Sequence, residues 1–86
     1  MYNIIERYMN ILKKEDVDNF AKSKNTYLSS EELDFTYNFL KKNWQDILKN
    51  PNAFDINRYK NNFNSENFIK VKKIFEEYYR KFKNFL

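Results

Sequence analysis

Apolar side chains recur every three or four residues along most of the chain, which is the period of an α-helix with one buried face. The longest internal segment with this pattern spans residues 30–49, and its main stripe consists of Leu33, Tyr37, Leu40, Trp44, Ile47 and Leu48. Phe35 and Phe39 form a second, flanking stripe. A helix that is apolar over so wide an arc is expected to have neighbours on two sides. We therefore predict that this helix is central to the fold.

Polar residues mark both ends of the central helix. Ser29 and Glu32 have the spacing of a capping box, in which each side chain accepts a hydrogen bond from the other residue's backbone amide. At the other end Asn50 precedes Pro51. Because the residue before a proline avoids the α-helical conformation, we predict that the helix ends there.

Two shorter helices are predicted ahead of the central one. The first, residues 2–13, has apolar residues in adjacent pairs, which are Ile4 with Ile5, Tyr8 with Met9, and Ile11 with Leu12. Its polar face has few basic residues, so we expect it to pack in the core rather than lie on a membrane surface. The second, residues 14–24, has a narrow apolar face made of Val17, Phe20 and Ala21. Asn25 is predicted to end it in the left-handed conformation, because the chain contains no glycine.

Two further helices are predicted after Pro51. A turn over residues 51–54 leads to Asp55, which is predicted to cap a short helix over residues 56–62. Ser65 is predicted to cap the last helix, residues 66–84. That helix has a heptad-like seam of Phe68, Val71, Phe75, Tyr78, Phe82 and Phe85. The seam fits either packing within the same domain or a contact with a partner.

The sequence thus predicts an all-α fold, a compact single-domain bundle of about five helices, three long and two short, over residues 1–86. Nine Phe, seven Tyr and one Trp supply the bulk that a core in so short a chain requires. The absence of glycine disfavours tight hairpins. The expected core is Ile5, Tyr8, Leu12, Phe20, Leu28, Leu33, Tyr37, Leu40, Trp44, Leu48, Phe54, Phe63, Phe68, Val71, Phe75 and Tyr78.

The composition argues against an enzyme and against a bound cofactor. The chain has no Cys, no His and no Gly, which removes cysteine nucleophiles, the commonest general base and glycine-rich phosphate loops. Asp55 and Glu66 have the spacing of the first and last ligands of a calcium loop, but Lys60 stands where such a loop needs glycine. We therefore expect no catalytic residues, no cofactor and no metal.

Charge and hydropathy bear on partners and location. Sixteen basic and twelve acidic residues give a formal charge of +4, but the two signs are interleaved, as on an ordinary solvated surface. No apolar run approaches the length of a membrane span, and Met1 to Leu12 has no signal-peptide pattern. The lack of cysteine is compatible with a reducing compartment. We expect a cytoplasmic protein with no membrane partner.

Two segments resemble a known family. The segment KEDVDNFAKSKNTYLSSEEL, residues 14–33, places a short helix with an apolar face ahead of a Ser-capped, Glu-rich helix start. Residues 54–82 add a short helix and then a capped helix with an aromatic end. Together they resemble the YqfT-like family of small uncharacterised helical proteins of low-GC Gram-positive bacteria. The resemblance implies a small cytoplasmic, bacterial helical protein, and it assigns no activity and no functional residues.

Two functions are predicted, with different surfaces. The first is a non-enzymatic module that binds another protein or a second copy of itself, because the apolar stripes are wider than one packing partner requires. Its expected contact residues are Phe35, Phe39, Ile74, Tyr79 and Phe85. The alternative is a basic helical protein that binds nucleic acid through the last helix. Its expected contact residues are Lys70, Lys73, Arg80, Lys81 and Lys83.

Overall fold

The chain folds into α-helices joined by short connections. The structure, a computed structural model, describes the backbone of residues 2–83 and the side chains of residues 3–81. Its elements are α1 Tyr2–Ile11, α2 Lys14–Ser23, α3 Ser30–Lys49, two 3-10 helices at Pro51–Ala53 and Ile56–Asn62, and α4 Ser65–Lys83. Residues 2–83 contain no β-strand. The all-α prediction is confirmed.

The predicted elements correspond to α1, α2, α3, the second 3-10 helix and α4. The segment after Asn50 was predicted as a turn, and it contains the first 3-10 helix. The short helix over residues 56–62 has 3-10 rather than α geometry. At its start the Asp55 carboxylate accepts a hydrogen bond from the Asn57 amide over 3.0 Å, so the predicted cap is confirmed.

The capping box at the start of α3 forms as predicted. The Glu32 amide donates to Ser29 Oγ over 3.1 Å, and the Ser29 amide donates to Glu32 Oε1 over 2.8 Å. Both amides belong to a helix end that leaves its first N–H groups without intrahelical partners. Glu32 is buried, and its bond to the Ser29 amide gives that carboxylate a partner.

Asn25 ends α2 in the left-handed conformation, with φ of 56°, as predicted. Two backbone bonds close the turn, because the Asn25 amide donates to Lys22 O and the Thr26 amide donates to Ala21 O, each over 2.9 Å. This pair of bonds is the Schellman motif. It places Thr26 in the interior, fully buried.

The prediction that Ser65 caps α4 is wrong by one residue. The helix begins at Ser65, and the capping side chain is Asn64, whose Oδ1 accepts from the Asn67 amide over 2.7 Å. Asparagine and serine are about equally good caps, so sequence preference alone does not choose between two adjacent candidates.

Contacts between Cα atoms divide the chain into two compact units, Met1–Asn43 and Trp44–Leu86. The single-domain prediction for residues 1–86 therefore stays a prediction. Among the first-unit residues whose side chains are described, the buried apolar ones are Met9, Leu12, Val17 and Ala21. Among those of the second unit, they are Trp44 and Phe68.

Two expected core residues of the first unit are exposed. Tyr8 is 60% exposed and Phe20 is 43% exposed. On α1 the inward position predicted for Tyr8 is occupied by the neighbouring Met9, which is buried. On α2 the buried residues are Val17 and Ala21 instead of Phe20. Each helix is short, so its buried face is narrower than its full set of apolar residues.

Aromatic rings pack together in the second unit. The ring centroid of Phe54 lies 4.8 Å from that of Phe75 and 5.8 Å from that of Tyr59. The Phe75 ring stacks on Tyr79 at 6.1 Å, and the Tyr79 hydroxyl donates to Asn52 Oδ1 over 2.9 Å. These offset and tilted arrangements are the ones that aromatic pairs prefer.

Candidate interaction surface on the first helix

Two side chains of α3 hold the C-terminal end of α1. The Tyr37 hydroxyl donates to the backbone oxygen of Leu12 over 3.2 Å. One turn further along α3, Lys41 Nζ donates to the oxygen of Met9 over 2.7 Å and to that of Asn10 over 3.4 Å. The last carbonyl groups of a helix have no intrahelical donors, and a cation there interacts favourably with the helix dipole. These bonds fix the end of a helix only ten residues long.

With α1 held in this way, one set of its apolar residues faces inward and another faces out. Met9 is buried, Leu12 directly after the helix is buried, and Ile5 is half-buried. Ile4, Tyr8 and Ile11 are 70%, 60% and 73% exposed. Their spacing of four and three residues places them on one side of the helix. We call these three side chains the α1 outer face.

The α1 outer face is a short apolar strip with one basic neighbour. Its ends, Ile4 and Ile11, are seven positions apart in the sequence, which is about 10 Å along a helix. Arg7 is exposed, and it lies three residues after Ile4 and four before Ile11, so it borders the strip. Glu6 is exposed too, but it is two residues from both Ile4 and Tyr8 and lies on the opposite side of the helix.

Contiguous exposed apolar surface is typical of interaction sites, whereas single exposed apolar residues are ordinary on any protein surface. Three other large apolar side chains are exposed among the residues whose side chains are described, namely Phe20, Tyr27 and Ile69. The α1 outer face differs from them because its three members share one side of one helix.

Some of the residues predicted to contact a protein partner lie close together in the structure. The rings of Phe35 and Phe39 stack with centroids 5.8 Å apart, and both residues are half-buried. Ile74 and Tyr79 are also half-buried. The four belong to two different units, and Phe85 lies outside the described residues.

The basic residues predicted to contact nucleic acid lie along α4 with acidic residues among them. Lys73 and Arg80 are exposed, as is the acidic Glu76 beside them. Lys70 Nζ forms an ion pair with Glu66 at 3.5 Å. The Lys81 ammonium lies 4.8 Å from the centre of the Tyr78 ring. The side chain of Lys83 lies outside the described residues.

The part of the chain that the structure describes shows neither a metal-binding cluster nor a membrane-spanning helix. No three acidic side chains there are grouped so that they could hold a metal ion. None of the helices there has the length and apolarity that a bilayer crossing requires. Every buried side-chain polar atom there has a hydrogen-bond partner.

The α1 outer face was not predicted, although the sequence contains a signal for it. The pairs in residues 2–13 were assigned to a single inward face, but residues 4, 8 and 11 form one helical stripe and residues 5, 9 and 12 form another. Two parallel apolar stripes on so short a helix indicate two contact surfaces, and the stripe of residues 5, 9 and 12 is the one that is covered within the first unit.

Comparisons with known proteins found no match to any family model, any curated protein sequence or any solved structure. The resemblance to the YqfT-like family therefore stays a prediction.

Proposed function

We propose that this chain is a small cytoplasmic protein, without enzymatic activity, that binds another protein through the α1 outer face. The observation that supports this proposal is the exposure of Ile4, Tyr8 and Ile11, which is 70%, 60% and 73% on one side of one helix. Apolar side chains on one face of a helix are the anchors by which helices bind protein partners. Tyrosine is also enriched at the centres of protein interfaces.

The bonds made by Tyr37 and Lys41 add to this argument. They orient α1 through its backbone carbonyl groups and leave the side chains of its outer face uninvolved. A surface that is already ordered loses less conformational entropy on binding than a flexible one does. The proposed contact residues differ from Phe35, Phe39, Ile74 and Tyr79, which are half-buried within the chain.

The experiment compares two double variants of the purified full chain in an extract of its source cells. The Ile4→Ser/Ile11→Ser variant changes the outer face, and the Asn3→Ser/Asn10→Ser variant changes exposed polar positions of the same helix. We expect that one protein of the extract is retained by wild type and by the Asn variant but not by the Ile variant. Once identified and purified, that protein must form a complex of defined mass with the wild-type chain when no other protein is present. Equal retention by all three chains would contradict the proposal.

A second candidate function, nucleic-acid binding, is favoured by the distribution of charge. Residues 1–43 contain seven basic and seven acidic residues, whereas residues 44–86 contain nine basic and five acidic residues. The whole excess of positive charge therefore belongs to the second unit. Binding to phosphates would weaken steeply as salt is raised, because each contact releases a counterion. Salt-insensitive binding, or none at low salt, would exclude this candidate.

A further inference from the structure

We infer that the occupant of the α1 outer face is an amphipathic helix of a different protein, and that a carboxylate at the edge of its apolar face pairs with Arg7. This inference depends on the proposed function and adds the chemistry of the partner. It follows from the size of the face and from the charge at its border.

The size of the face is typical of a small, transient interface. A stable interface buries about 800 Å² on each partner. Two isoleucines and one tyrosine with the observed exposures supply roughly half of that area. A strip about 10 Å long has the length of two helical turns. A partner helix can cover a strip of that length with the apolar residues of one of its faces.

The charge at the border of the face argues against a second copy of this chain as the occupant. If two copies paired their outer faces antiparallel, Ile4 of each would meet Ile11 of the other, and the midpoint would fall between Arg7 and Tyr8. The two Arg7 side chains would then lie close together on the same edge, and like charges at an interface oppose association. Arginine instead prefers a carboxylate, with which it forms paired hydrogen bonds.

The test uses three synthetic helical peptides about 14 residues long, which is an ordinary helix length. They share one leucine face and differ only in the residues that border it, which are Glu, Gln or Lys. Each is titrated into the full chain at low ionic strength, where exposed charge pairs are least screened. The chains are wild type, Arg7→Glu, the outer-face variant Ile4→Ser/Ile11→Ser and a charge control. The control is Arg80→Glu, which makes the same charge change at an exposed arginine of the second unit.

We expect wild type to bind the Glu peptide about two to five times more tightly than the Lys peptide, which is the upper part of the range for one exposed charge pair. Arg7→Glu should reverse that order, and Arg80→Glu should preserve it. If wild type bound all three peptides equally and Ile4→Ser/Ile11→Ser bound none of them, this inference would be overturned and the proposed function would stand. Absence of binding by the Glu peptide would overturn it too. So would a dimer of the chain alone that Ile4→Ser/Ile11→Ser converts to monomer.

Discussion

The ammonium nitrogen of Lys41 lies 2.7 Å from the backbone oxygen of Met9, so a side chain of the longest helix completes the C-terminal end of the first. Ten-residue helices are marginal in isolation, because few of their backbone groups are paired within the helix. The position of α1, and with it the direction of its outer face, therefore depends on bonds made from α3.

Replacing Lys41 with methionine should destabilise the chain by about 1–2 kcal/mol, since a charged donor to helix-end carbonyl groups is lost. Methionine retains most of the aliphatic length of lysine, so the change isolates the ammonium group. The measurement is the free energy of unfolding in urea. Lys42→Met is the control, because Lys42 is exposed on the same helix and should change stability by less than about 0.5 kcal/mol. Equal losses in both variants would contradict the assignment.

Two adjacent residues at the end of α1 should respond very differently to truncation. Leu12 is 7% exposed and Ile11 is 73% exposed. Leu12→Ala should cost about 2–5 kcal/mol because it leaves a cavity. Ile11→Ala should stay within about 0.5 kcal/mol because it removes a side chain already in water. Thermal unfolding of the two variants would show this difference, and a large loss in Ile11→Ala would mean that the outer face is covered.

The conformation of Asn25 predicts an order of stability among its variants. Alanine is strained at φ of 56°, so Asn25→Ala should lose about 1 kcal/mol, whereas Asn25→Gly should equal or exceed wild type. At Asn19, exposed within α2, the order should reverse, because glycine is about 1 kcal/mol worse than alanine inside a helix. Chemical denaturation of the four variants measures both orders. The same order at both positions would contradict the left-handed assignment.

The capping box predicts an asymmetry between two neighbouring serines. Ser29→Ala should cost about 1 kcal/mol, since it removes the acceptor of the Glu32 amide. Ser30→Ala, at an exposed position in the first turn, should be nearly neutral. Amide hydrogen exchange in the first turn of α3 provides a second readout, because only Ser29→Ala should speed exchange at Glu32.

Local signals in the sequence predicted the features that depend on a few neighbouring residues. The Ser29–Glu32 box and the left-handed Asn25 could be predicted because spacing and side-chain chemistry decide them within four residues. Ser65 is a good cap by residue type, but so is the adjacent Asn64, and which of the two caps α4 depends on the register of the whole helix.

Features that depend on distant contacts could not be predicted in the same way. Periodicity shows which residues share a helix face, but not which face the rest of the chain covers. Tyr8 was therefore placed in the core, and the outer face of α1 was not recognised. The bond from Lys41 to Met9 joins residues 32 positions apart, and nothing near either residue signals it.

The most direct test of the proposed interaction is photocrosslinking from position 8 in living source cells. Tyr8 is replaced by benzoylphenylalanine, a photoreactive residue of similar shape, and Asn57, exposed in the second unit, is replaced in a control chain. We predict one discrete product of the chain with a different protein from position 8, absent from position 57 and lost when Ile4 and Ile11 are changed to serine. Indistinguishable products from both positions, or a product with twice the mass of the chain, would contradict the account.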